Sequence, residues 1–143
     1  MNARAEDPTR LLVLQRVRNR IIEYLDLAAS YERQRTYQRN VPVNVVNEVI
    51  NMWEDQVPAN WRDWLTAPVF SPAEQDAISY FCEVWTRVAE AIPDRWPELE
   101  KTIGTRDWED LRHAAEQTVA VFADRGRFSE EVEIGFEQLS DRR

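Results

Sequence analysis

The chain has 143 residues, one cysteine, three glycines, six tryptophans and a formal net charge of −8. This length suits one domain that buries about two thirds of its extended surface without disulfides or metal. The single cysteine, Cys82, excludes an internal disulfide and fits a reducing compartment, so a cytoplasmic protein is expected.

Charge is unevenly spread. Residues 1–40 carry eight Arg against five acids, a balance of +3, and residues 41–143 carry −11. An acidic body repels nucleic acid and anionic membrane at long range, so neither partner is expected. No apolar run approaches the roughly 18 residues that a membrane span needs. Residues 1–8 are small, polar and charged; they read as a frayed lead-in without the apolar core of a secretory signal.

From Thr9 to Arg39 no Gly or Pro occurs, and Leu, Arg, Gln, Glu and Ala dominate. Leu14, Val17, Ile21, Tyr24, Ala28 and Tyr31 recur at steps of three and four, so one helix over about 9–39 is expected, capped by Thr9. At 1.5 Å per residue this rod reaches about 46 Å. A domain of this size is only about 37 Å wide, so the rod should either bend or project at one end. Past Tyr31 the inward positions become Glu32, Arg35 and Arg39, which makes the far end a candidate docking surface.

Asn44 is expected to cap a second helix over 44–57, with Val46, Val49, Ile50, Trp53 and Val57 inward. A short helix near 60–65 places Trp61 and Trp64 on one side. Ser71, Pro72 and Glu74 spell a capping box with proline at the first position, opening a third helix over 72–92. Its inward stripe contains Ile78, Phe81, Cys82, Trp85 and Val88. A short helix over 97–103 stops at Gly104. Thr105 caps the last major helix, 105–125, whose inner face is Trp108, Leu111, Ala115, Val119 and Phe122. Residues 128–139 are read as helix behind a Ser129 cap, although Val132, Ile134 and Phe136 also alternate as in a strand. The whole is expected to be all-α: one domain, an irregular helical bundle with an overlong first helix.

No catalytic constellation emerges. His113 is the lone histidine and lies about 140° from Trp108 around its helix, on the solvent face beside Glu109, Asp110 and Glu116. A two-metal bundle site would need a second Glu-x-x-His pair. Cys82 sits in a core stripe, where a thiol stays protonated and inert. Three glycines cannot build a phosphate-cradling loop, and no Gly-x-Ser-x-Gly elbow occurs. No catalytic residue, cofactor or metal is therefore nominated, and an enzyme is the less favoured class.

The tryptophans are the less ordinary feature. Trp53, Trp61 and Trp64 fall within twelve residues and close in sequence to Arg35, Tyr37 and Arg39. Trp, Tyr and Arg dominate binding hot spots because they add large area at low entropic cost. On one reading the large rings fill an irregular core; on the other some stay partly exposed, and these six residues form the candidate partner surface. The leading expectation is a protein that acts by protein–protein interaction, with itself as a homodimer or with another protein. The alternative is a small-ligand or metal-binding protein, enzymes included, with a pocket among Trp53, Trp61, Trp64 and Trp85.

Overall fold

The computed structural model describes residues 8–92 and 97–135. Six α-helices occur among them, with no strand: α1 (Arg10–Ala28), α2 (Tyr31–Asn40), α3 (Val45–Gln56), α4 (Pro72–Ala91), α5 (Leu99–Thr102) and α6 (Arg106–Phe122). A single 3-10 turn, Trp61–Asp63, stands where a short helix over 60–65 was expected.

The caps follow local chemistry. Thr9, Ser30, Asn44, Ser71 and Thr105 each accept a backbone N–H three residues on. At Ser71 the capping box is complete, since the Glu74 carboxylate also accepts from the Ser71 N–H. The inner faces of α1, α3, α4 and α6 meet in one apolar core. Its centre is aromatic: Trp53 lies 5.4 Å from Tyr24 and 4.6 Å from Phe81, and Tyr24 donates to the Val49 carbonyl.

The expected single helix over 9–39 is corrected. It divides at Ala29–Ser30, where Ser30 is extended (φ −134°, ψ 111°) and caps α2. Gln34 explains the break. Its Nε2 donates to the Leu27 and Ala28 carbonyls at 3.2 and 3.1 Å, satisfying the end of α1 from outside that helix. Its Oε1 accepts from Trp108 Nε1 at 2.9 Å. A buried amide thus closes one helix, fastens the next and reaches α6. With 19 residues, α1 is only about 28 Å long, so no rod outgrows the body.

The expected helix over 128–139 is corrected as well. Residues 128–135 form no helix; they run as an irregular strap against α1 that turns at 129–132, where Ser129 Oγ accepts the Glu131 and Val132 N–H groups. Gly126 makes the turn, with φ +71°, the left-handed region that suits glycine. Residues 136–139 lie outside the described residues.

Candidate interaction surface

The six residues nominated from sequence are not brought together. Trp53 and Trp61 are core residues, 1% and 7% exposed, and Trp64 is half-buried against the core. Only α2 carries the remaining three, and it is the least buried of the longer helices: among its ten residues Gln34 alone is fully buried.

Two grooves flank α2. The larger, about 660 Å³, has an apolar floor of Val41, Pro42, Val43 and Leu99, with Arg35, Arg39, Glu98 and Glu100 at its edges. The connector forming this floor is held in place. Gln38 donates to the Val43 carbonyl and accepts from the Val45 N–H, while Asn44 donates to the Pro97 carbonyl at 3.0 Å. The second groove, about 560 Å³, holds Tyr37, Arg33, Thr36 and Leu27. Arg39 and Tyr37 therefore face different grooves.

Electrostatics separates the two nominated arginines. Arg35 grips Glu100 with two bonds, at 2.8 and 3.1 Å. Hydrogen bonding to Arg35 holds the Glu100 carboxyl below its ordinary pKa. Both groups are well exposed, so the pair contributes little stability. Arg39 bonds the neighbouring Thr36 hydroxyl at 3.1 Å and lines the larger groove.

A third cavity, about 430 Å³, is lined by Trp53, Trp61, Trp85 and Cys82, with Glu54 at its edge; Trp64 does not line it. Trp85 Nε1 donates to the Ile50 carbonyl, which fixes one wall. Cys82 is half-buried, and desolvation pushes its thiol pKa up. His113 is exposed on α6, and its neighbour Asp110 pairs with Arg87. Among the described residues no group of three or more His, Cys, Asp and Glu gathers as a metal site.

Two polar assemblies escaped sequence reasoning. In the first, Arg18 is 0% exposed and holds Glu74 by two bonds, 2.7 and 2.9 Å, while Arg125 reaches the same carboxylate at 2.7 Å. The two arginines also donate to the carbonyls of Pro68, Val69 and Gly126. Burial alone would raise the Glu74 pKa; bonds from Arg18, Arg125 and the Ser71 amide outweigh it and hold the carboxyl below its ordinary value. An arginine on the flank of an apolar stripe looks solvent-facing in sequence, so Arg18 gave no signal. Glu74 was visible only as a cap.

In the second, the α1 side chains Gln15, Arg16 and Asn19 bind the main chain of the strap. Gln15 Nε2 donates to the Ser129 and Val132 carbonyls at 2.8 and 2.9 Å, and its Oε1 accepts from the Ile134 N–H. Asn19 bonds both the N–H and the carbonyl of Phe128, and Arg16 donates to the Glu130 carbonyl. Glu130 adds its carboxylate to Asn19 and Arg20, and Arg127 pairs with Glu23. An (i, i+4) Gln–Asn pair on a basic helix was the available hint.

Comparison with protein-family models, curated proteins and solved structures finds no match to this chain.

Proposed function

We propose that the protein acts by protein–protein interaction through α2 and its two grooves, with self-association as the simplest form. The supporting observation is that α2 stands between two grooves with only Gln34 buried, an apolar floor on one side and Arg39 above it. Arg33, Arg35 and Arg39 against Glu32 make α2 basic, whereas residues 41–143 carry −11. Arg35 already pairs with Glu100 of its own chain, so a second copy would offer its acidic surface to Arg33 and Arg39. Nothing in the described site supplies a nucleophile, an acid–base dyad or a metal cluster, so a binding role is proposed and no catalytic one. No described helix is long and apolar enough to cross a membrane, and nucleic acid is not proposed as a partner. The half-buried thiol of Cys82 suits a reducing compartment, and a cytoplasmic location is proposed on that ground.

Light scattering after gel filtration at micromolar concentration tests this reading and should return twice 16.9 kDa. Arg39→Glu should shift the species toward monomer while leaving the helical circular dichroism unchanged. A monomer at every concentration removes self-association.

The Trp53–Trp61–Trp85 cavity favours a second reading, binding of a flat apolar or cationic small molecule. Native mass spectrometry of the purified protein would show such a ligand as added mass. A bare chain mass, with no quenching of tryptophan fluorescence on titration with aromatic cations, would count against it.

A further inference from the structure

The strap–α1 contact is built like a peptide complex. Three side chains of one helix satisfy six main-chain groups of a non-helical segment that turns at 129–132: the Phe128 N–H and carbonyl, the carbonyls of Ser129, Glu130 and Val132, and the Ile134 N–H. Gln15 and Asn19 are buried beneath the segment, at 0% and 2% exposure, one helical turn apart and facing the same way. Main-chain groups are common to all sequences, so this part of the recognition is transferable. Side-chain contacts fall at five positions, among them Arg127 on Glu23 and Ile134 against the core. The Phe128 ring lies 4.4 Å from the Arg18 guanidinium and 5.1 Å from that of Arg125. Glu130 meets Asn19 and Arg20, and Glu133 accepts from the Thr9 hydroxyl. Between them the strap buries little, and Val132 is 68% exposed. The face that receives it is basic through Arg16 and Arg20, while the strap contributes Glu130, Glu131 and Glu133.

We propose that the polar face of α1 is a recognition surface for an acidic protein segment of the pattern Phe-x-Glu-x-x-Glu that turns as residues 129–132 do, and that residues 127–135 occupy it as a tethered competitor. The strap descends α1 toward its N-terminus, from Glu23 at Arg127 to Thr9 at Glu133, and Gly126 is its hinge. Tethering gives the strap a high effective concentration, so an outside segment binds only when it outcompetes or replaces it. This surface is separate from the α2 grooves and does not depend on them.

The test uses a fluorescent peptide with the sequence of residues 127–135 and the full chain carrying Phe128→Ala and Glu130→Arg, which loosen the strap and leave α1 intact. Fluorescence anisotropy should show the peptide binding this chain about tenfold or more tighter than the unsubstituted chain. Adding Gln15→Ala and Asn19→Ala should abolish the binding. Absence of binding to a loosened chain with unchanged helical circular dichroism overturns the proposal, as does binding that survives the Gln15 and Asn19 substitutions. Weakening by Arg39→Glu would place the peptide on α2 and also overturn it, whereas the α2 reading would stand. Should the loosened chain not fold, hydrogen exchange on the unsubstituted chain decides. Excess peptide should accelerate exchange of the Phe128 and Ile134 amides, and unchanged rates overturn the proposal.

Discussion

Glu74 ties three parts of the chain together at one carboxylate. It closes the capping box of α4, and it receives Arg18 from α1 and Arg125 from just beyond α6. Removing one partner of a buried ionic cluster leaves uncompensated charge, an effect of about 3–5 kcal/mol. Glu74→Gln should therefore lower the urea midpoint by a stability loss of that order, at constant m-value. The acid limb follows from the direction of the pKa shift. A carboxyl held below its ordinary 4.5 contributes stability that is present above that value and lost as pH falls through the lower folded pKa. In Glu74→Gln the fall in stability below pH 4.5 should become shallower. Glu109, held down to about 2 by bonds from Arg112 and Tyr31, acts in the same window, but it is exposed and its share is small.

Thr118 presents the opposite case. Its hydroxyl is buried on α6 and has no hydrogen-bond partner among the described residues. An unmade bond of this kind costs about 1–3 kcal/mol, so Thr118→Val, which keeps the shape and deletes the hydroxyl, should raise the thermal midpoint. A lowered midpoint would mean the hydroxyl is satisfied.

At the scale of elements, the break between α1 and α2 governs where the candidate surface lies. Ala29 and Ser30 carry no helix-breaking signature, and the 3.6-residue pattern of apolar residues passes through them unbroken to Tyr31. The apolar-to-charged switch after Tyr31 is legible in sequence, and it marks a change of helix rather than the end of a core-bound rod. The decisive residue is Gln34, since its amide satisfies carbonyls six and seven residues back and an indole 74 residues away. Gln34→Ala removes the partner of the Trp108 indole N–H and of the Ala28 carbonyl, while the Leu27 carbonyl keeps the Ser30 N–H at 3.3 Å. A loss of about 1–3 kcal/mol is expected, with faster hydrogen exchange confined first to α2. If α2 keeps its protection, something other than Gln34 holds it.

At the scale of the molecule, the same charge asymmetry serves inside and outside. Much of the basic first quarter is neutralised internally, with Arg18 on Glu74, Arg20 on Glu130 and Arg35 on Glu100. In those pairs the basic first stretch of the chain lies against acidic side chains of later segments. Arg33 and Arg39 remain on the exposed flanks of α2. Self-association driven by them should weaken as salt rises from low ionic strength to about 1 M, where screening shortens to about 3 Å. Association that strengthens with salt would point to the apolar groove floor instead.

By itself the sequence determined the all-helical class, every cap of the longer helices except Ser30, and nearly all of the inward face. These rest on periodicity and on interactions within four residues, which are local. Tertiary structure alone decided the helix break, the Arg18–Glu74–Arg125 cluster, the strap on α1 and the burial of Trp61. Each depends on groups dozens of residues apart meeting where water is excluded. A buried arginine or glutamine differs from a surface one only in the partners that distant segments bring to it.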